Sequence, residues 1–177
     1  MPLTAGALPS QPPTFAVPVD RATMFCDGQT LAVTGDLNNV NAQLDIGGVA
    51  PLAGFAAGSG AGRTTGMLVL NITAMDFSNG DETYRFHLLA SNDSAFGNGN
   101  VDLLGFHDFA ASSAGRIIAT LMGASLAAAG AAGRVYVPFV NLRQGLVYRY
   151  LRCRAVIGGT TPSVTLTSWL SFTDQRI

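Results

Sequence analysis

Few groups in this chain can do chemistry near neutral pH. There are two histidines (His87, His107), one glutamate (Glu82), two cysteines (Cys26, Cys153) and scattered aspartates. His107 is followed by a carboxylate, Asp108, a pairing that suits general base catalysis. A Ser-His-Asp arrangement also needs a nucleophile on a sharp strand-to-helix turn, and no Gly-x-Ser-x-Gly elbow occurs in that context. The run Gly58-Ser59-Gly60-Ala61-Gly62-Arg63 is glycine-rich, yet it lacks the lysine of a phosphate loop and opens no helix. Two oxygen-rich stretches carry the donors that calcium uses: Asp76, Asn79, Asp81, Glu82, and Asn92, Asp93, Asn98, Asn100, Asp102. Neither has EF-hand spacing, and tight turns need the same residue types. Two isolated histidines do not supply the clustered ligands of a cupin metal site. The expectation is a protein with no catalytic residue, no cofactor and no metal, one that works through its surface.

The cations point the same way. All ten are arginine, and there is no lysine. Arginine stacks on rings and forks onto carboxylates, which suits it to interfaces. Arg149, Arg152 and Arg154 crowd one strand-like run with Tyr148 and Tyr150. Strict alternation puts Arg149 on one face and Tyr148, Tyr150, Arg152 and Arg154 on the other. Such a face is either a docking surface or a solvated edge guarded by charge. The single tryptophan, Trp169, falls opposite Leu166, Leu170 and Phe172, as a packing anchor or as a ligand platform.

What positions these residues is read from the rest of the chain. Its 177 residues suit one domain with an extended arm. Hydrophobic residues make up 48% and charged ones 12%, about half the usual charged share, so neutral surface is left for partners to cover. A net charge of −1 argues against a nucleic-acid partner. No run of about 18 apolar residues suggests a membrane helix, and no secretory leader is expected. The cysteines fit buried thiols, with a disulfide left open.

Residues 1 to 20 hold Pro2, Pro9, Pro12, Pro13 and Pro18, which exclude a helix or central strand. We read an extended arm in which Phe15 and Val17 supply docking groups. The domain then spans 21 to 177. Its first strands flank a hairpin turn at Asp27-Gly28 (23 to 26, then 30 to 34), and 41 to 46 follows. An Ala/Gly-rich loop covers 49 to 65. Further strands are expected at 67 to 75, 83 to 90, 101 to 106 and 115 to 122, with a loop at 123 to 133. The last third reads as three strands, 134 to 140, 146 to 156 and 163 to 173. Roughly ten strands with frequent turns make an all-β, antiparallel, jelly-roll-like sandwich.

The order of segments resembles a known family. Tyr84-Arg85-Phe86-His87-Leu88-Leu89-Ala90-Ser91-Asn92-Asp93-Ser94-Ala95-Phe96 is similar to the central signature of capsid cement (decoration) proteins of tailed phages, the Bordetella podophage type. Tyr148-Arg149-Tyr150-Leu151-Arg152, the Gly159 to Pro162 turn and the strand opening Ser163-Val164-Thr165 match its later motifs, and Met24 to Thr34 looks like its opening. The resemblance covers residues 21 to 173; the arm and the 49 to 65 loop depart from it. It implies a jelly roll, a homotrimer and a place on the outer surface of a virion capsid, bound to the major capsid protein, with no catalytic residues. The interface residues expected are Pro12, Pro13, Phe15 and Val17 of the arm, with Arg149, Tyr150 and Arg152. The rival expectation is a carbohydrate-binding jelly roll that stacks sugars on Trp169 or on Tyr148 and Tyr150, with calcium in the Asn/Asp loops.

Overall fold

Alternation of apolar and polar residues builds most of the strands. A computed structural model describes residues 21–47, 62–97, 101–111 and 133–172. A 3-10 turn (Arg21–Thr23) leads into β1 (Met24–Leu31). Then come β2 (Gly35–Asp36), β3 (Leu44–Asp45), β4 (Thr65–Met75), β5 (Thr83–Ser91), β6 (Val101–Ala110) and β7 (Gly133–Val140). β8 (Leu142–Arg143), β9 (Leu146–Val147), β10 (Tyr150–Gly158) and β11 (Val164–Ser171) complete the described chain. All pairings are antiparallel.

Sheet I has the order β1-β11-β4-β7. Sheet II has the order β2-β10-β5-β6, and β3 pairs with β10 on the same edge as β2. The protein is an all-β sandwich, as the alternation of its strands foretold. Tyr84, Phe86, Leu88 and Ala90 of β5, and Leu151, Cys153 and Ala155 of β10, point inward from sheet II. They meet Phe25, Leu68, Leu70, Ile72, Leu166 and Leu170 of sheet I in one core. Burial of this size is the main stabilising term, at about 1.5–3 kcal/mol for each large side chain.

Two close approaches bound the sandwich among the described residues. Gly105 of β6 passes β7 so closely that a Cβ there would lie 2.9 Å from Val137 Cγ1. Beyond β1, residues 36 to 41 act as a strap: Val40 and Asn41 donate their N–H groups to the Phe25 carbonyl, and Gln29 grips Asp36, Asn38 and Asn39. The β1 edge, satisfied in this way, offers little template for edge-to-edge pairing.

Four sequence expectations need correction. Asp27-Gly28 does not turn a hairpin. Gly28 has φ +60 and sits at a register shift inside β1, so it supplies the left-handed residue of a bulge. The chain after it keeps pairing with β11, so one strand stands where two were expected. The expected 101 to 106 strand runs on to Ala110, which puts His107 and Asp108 inside a strand. The expected 146 to 156 strand is broken at Tyr148 and Arg149. Gln144 and Gly145, with φ of 50 and 83, make the tight turn of the β8–β9 hairpin, and β10 starts afresh at Tyr150. Finally, of the expected 41 to 46 strand only Leu44–Asp45 pairs. The arm at 1 to 20, most of the 49 to 65 loop, the 115 to 122 strand and nearly all of the 123 to 133 loop lie outside the described residues.

Candidate interaction face

The break before β10 sets up the site. Asn141 is fully buried, and its side chain holds three backbone groups. Its Oδ1 accepts the Thr64 N–H at 2.6 Å, and its Nδ2 donates to the Gly62 and Tyr148 carbonyls at 3.0 and 2.9 Å. Tyr148 therefore turns inward, and its hydroxyl donates to Asp102 at the half-buried margin of the core. Asn92 catches the next residue, accepting the Arg149 N–H at 3.0 Å. Alternation resumes at Tyr150, so Tyr150, Arg152, Arg154 and Val156 point out of sheet II. Tyr148 and Tyr150 therefore share no face, contrary to the simple alternation.

Beside them β5 presents Arg85, His87 and Leu89, and β6 presents Phe106 and Asp108. Arg85 forks onto Asp108 at 2.5 and 2.7 Å, and its Cζ lies 5.5 Å from the Phe106 ring. Arg149 forks onto Asp45 at 2.9 and 2.8 Å and lies 5.1 Å from the Tyr150 ring. Charge-assisted forks of this kind fix the guanidinium plane. The Arg149 contact holds the Asp45 carboxyl below its ordinary range, and Asp108 pushes the Arg85 guanidinium further up. Burial lowers His87 below the ordinary imidazole value; Arg85 and Arg154 push the same way and Asp108 opposes them.

The face is thus a set of arginines held flat by rings and aspartates. Exposed Phe106 (49%) and Val156 (39%) lie among them. Arginine and aromatic residues around partly exposed apolar groups are the composition of protein–protein hot spots. Arg149, Tyr150 and Arg152, expected from sequence, come together here. Pro12, Pro13, Phe15 and Val17 lie outside the described residues. Arg21, where the arm ends, offers its carbonyl to Asn41 in the same connection that supplies Gln43 and Asp45 to the arginines.

The other candidates resolve differently. His107 points inward, 4.6 Å from the Phe109 ring, and Asp108 faces outward to Arg85. The two neighbours therefore do not act as a pair. Asp76 caps Ser78, Asp81 receives the Thr160 N–H and hydroxyl, and Glu82 accepts the Asn79 N–H. Asp93 closes its own turn by accepting from Ala95 and Gly97. Among the described residues no three acidic, histidine or cysteine groups converge as a metal site; Asn98 and Asn100 lie outside them. Trp169 is a packing anchor on the outer side of sheet I. It is 2% exposed, covered with Met24, Val40, Met67 and Val69, and lies 5.6 Å from the Arg134 guanidinium.

Sequence reasoning missed Asp36, Gln43, Asp45, Phe96 and Phe106 as members of this face. Their common signal is register across strands distant in sequence, which linear spacing does not carry. No family model matches this chain, and neither the curated proteins nor the solved structures contain a match to it.

Proposed function

We propose that this protein is a structural docking module of a virion, a capsid cement protein that binds the major capsid protein on the outer surface of a phage head. One observation carries the reading. The two motifs behind the resemblance, β5 with its Ser-Asn-Asp turn and the Tyr-Arg-Tyr-Leu-Arg run, are adjacent strands, with Tyr150 opposite Ser91. Together they form the arginine–aromatic face. The strand order supports a jelly roll, because β1-β11-β4-β7 facing β2/β3-β10-β5-β6 is what two Greek keys wound into a sandwich produce.

The mechanism follows from mass action. A protein that binds several coat subunits in the assembled shell, and not the separated ones, stabilises the shell. A homotrimer repeats each contact three times, so modest contacts add up to high avidity. The arm, with Phe15 and Val17, reaches a neighbouring subunit or coat protein. In the rival sugar-binding reading Trp169 is a platform, and its burial leaves no open ring face for that use.

The test is sedimentation with assembled phage heads, using the full chain and a chain lacking residues 1 to 20. We expect the full chain to travel with the heads and the truncated chain to remain folded but bind more weakly. No sedimentation of the full chain would sink the proposal, and equal binding by both chains would remove the arm from it.

A further inference from the structure

The geometry points to a carboxylate-binding site at Arg152, taking an aspartate or glutamate side chain from a partner protein. Arg152 differs from its neighbours. Arg85 and Arg149 have bidentate aspartates below 3 Å. Arg152 has only a 3.4 Å contact from Nη2 to the Gln43 Oε1 and a 3.6 Å approach of Nη1 to Asp36. Asp36 is itself shared with Arg154 at 3.4 Å. The Nε of Arg152 is buried without any hydrogen-bond partner, and the side chain is only 20% exposed. A guanidinium so shielded from water, with no bond of normal length, lacks the acceptor that its burial calls for.

The surroundings are built around that gap. The edge of sheet II is interrupted opposite Arg152: β2 ends at Asp36, paired with Arg154, β3 begins at Leu44, paired with Leu151, and between them the Leu37 N–H reaches the Cys153 carbonyl at 2.9 Å. Into this notch Gln43, just before β3, brings its side-chain oxygen to 3.4 Å from Arg152 Nη2. On the ring side Phe96 stacks on the guanidinium, with Cζ 4.1 Å from its centroid. Phe96 has φ +55, a left-handed conformation that is costly for a bulky residue. The turn holds it there: its own N–H bonds the Asp93 carbonyl, while the Asp93 carboxylate takes the N–H groups on either side. Strain spent on placing a ring over an under-bonded arginine is the mark of a prepared site. An incoming carboxylate replaces the Gln43 amide and provides two short charge-assisted bonds in place of two long contacts.

This inference deepens the docking reading and rests on it for the partner's identity alone. The probe is a capped octaglutamate peptide added to the full chain, followed by calorimetry and by the arginine Nε–H resonances. We expect saturable binding that moves the Arg152 signal more than those of Arg85 and Arg149. Arg152→Met weakens binding about tenfold or more, the value of one charge-assisted pair. Gln43→Glu fills the notch from within, so it abolishes peptide binding and raises the melting temperature; it keeps the test alive should R152M fail to fold. An unmoved Arg152 signal at saturation, or Q43E binding like the parent, overturns the site. An equal response to inorganic phosphate alone overturns the carboxylate assignment. Peptide binding through Arg152 without sedimentation on phage heads leaves the site standing and removes the capsid reading. Sedimentation of R152M and Q43E at the parent's level overturns Arg152 as the docking contact and leaves the capsid reading standing.

Discussion

Replacing Asn141 by alanine removes the clamp that ends β7 and sets the start of the arginine–aromatic face. Its three side-chain bonds, at 2.6, 2.9 and 3.0 Å, satisfy the Thr64 N–H and the Tyr148 and Gly62 carbonyls. Tyr148 is buried, so its carbonyl bears the full cost of an unpaired polar group, about 2 kcal/mol within a range of roughly 1–3. Gly62 and Thr64 are half-buried, so water replaces part of what they lose, at about 1 kcal/mol each. The expected loss is about 4 kcal/mol, a large share of a typical stability of roughly 5–15 kcal/mol. For a chain of this size that is a fall in Tm of about 8–16 °C. Urea unfolding followed by fluorescence reads it directly, because Trp169 is the single tryptophan and is buried. The midpoint should fall with an unchanged slope. A loss below about 1 kcal/mol would refute the reasoning, because water or a neighbour would then be satisfying all three groups.

Three further outcomes follow from particular residues. Burial pushes the Tyr84 phenol up to about 12, while its hydroxyl is held by Asp76 and Ser163. An unfolded tyrosine ionises near pH 10, so this stabilisation is intact below that value and lost as pH rises from about 10 to about 12. Replacement by Phe should flatten that loss in alkaline melting curves; an unchanged curve counts against it. Burial raises both thiols, Cys153 well above its ordinary value, so a thiol reagent at pH 8 should label neither cysteine in the native protein and both after denaturation. Gly159 has φ +109, and a Cβ there would lie 2.6 Å from Glu82 Cα. Gly159→Ala should therefore cost at least about 2 kcal/mol, from strain and a backbone clash together, whereas a neutral result would mean the turn reshapes freely.

The strands were legible where one face is buried. β5 alternates cleanly, whereas β4 and β11 bury consecutive residues at Leu68–Leu70 and Ser168–Ser171, where both faces are covered. The sequence misled where a local signal had two physical uses. Asp27-Gly28 favours a left-handed residue, which serves a hairpin or a bulge equally well, and the long-range partner β11 decided between them. The break at Tyr148 depends on Asn141 reaching back to Thr64, a contact across 77 positions that no window of spacing contains. The site was half legible. Arg149, Tyr150 and Arg152 declare themselves as a cluster, but whether each arginine is paired depends on Asp36, Gln43, Asp45 and Phe96, which only the fold brings near.

The central claim is that this chain acts by repeating modest contacts in a symmetric assembly on a capsid. The most direct test is the solution mass of the full chain by light scattering after size exclusion. The account predicts three copies of the 18.3 kDa chain, at a mass independent of dilution over the micromolar range. A clean monomer across that range would contradict it.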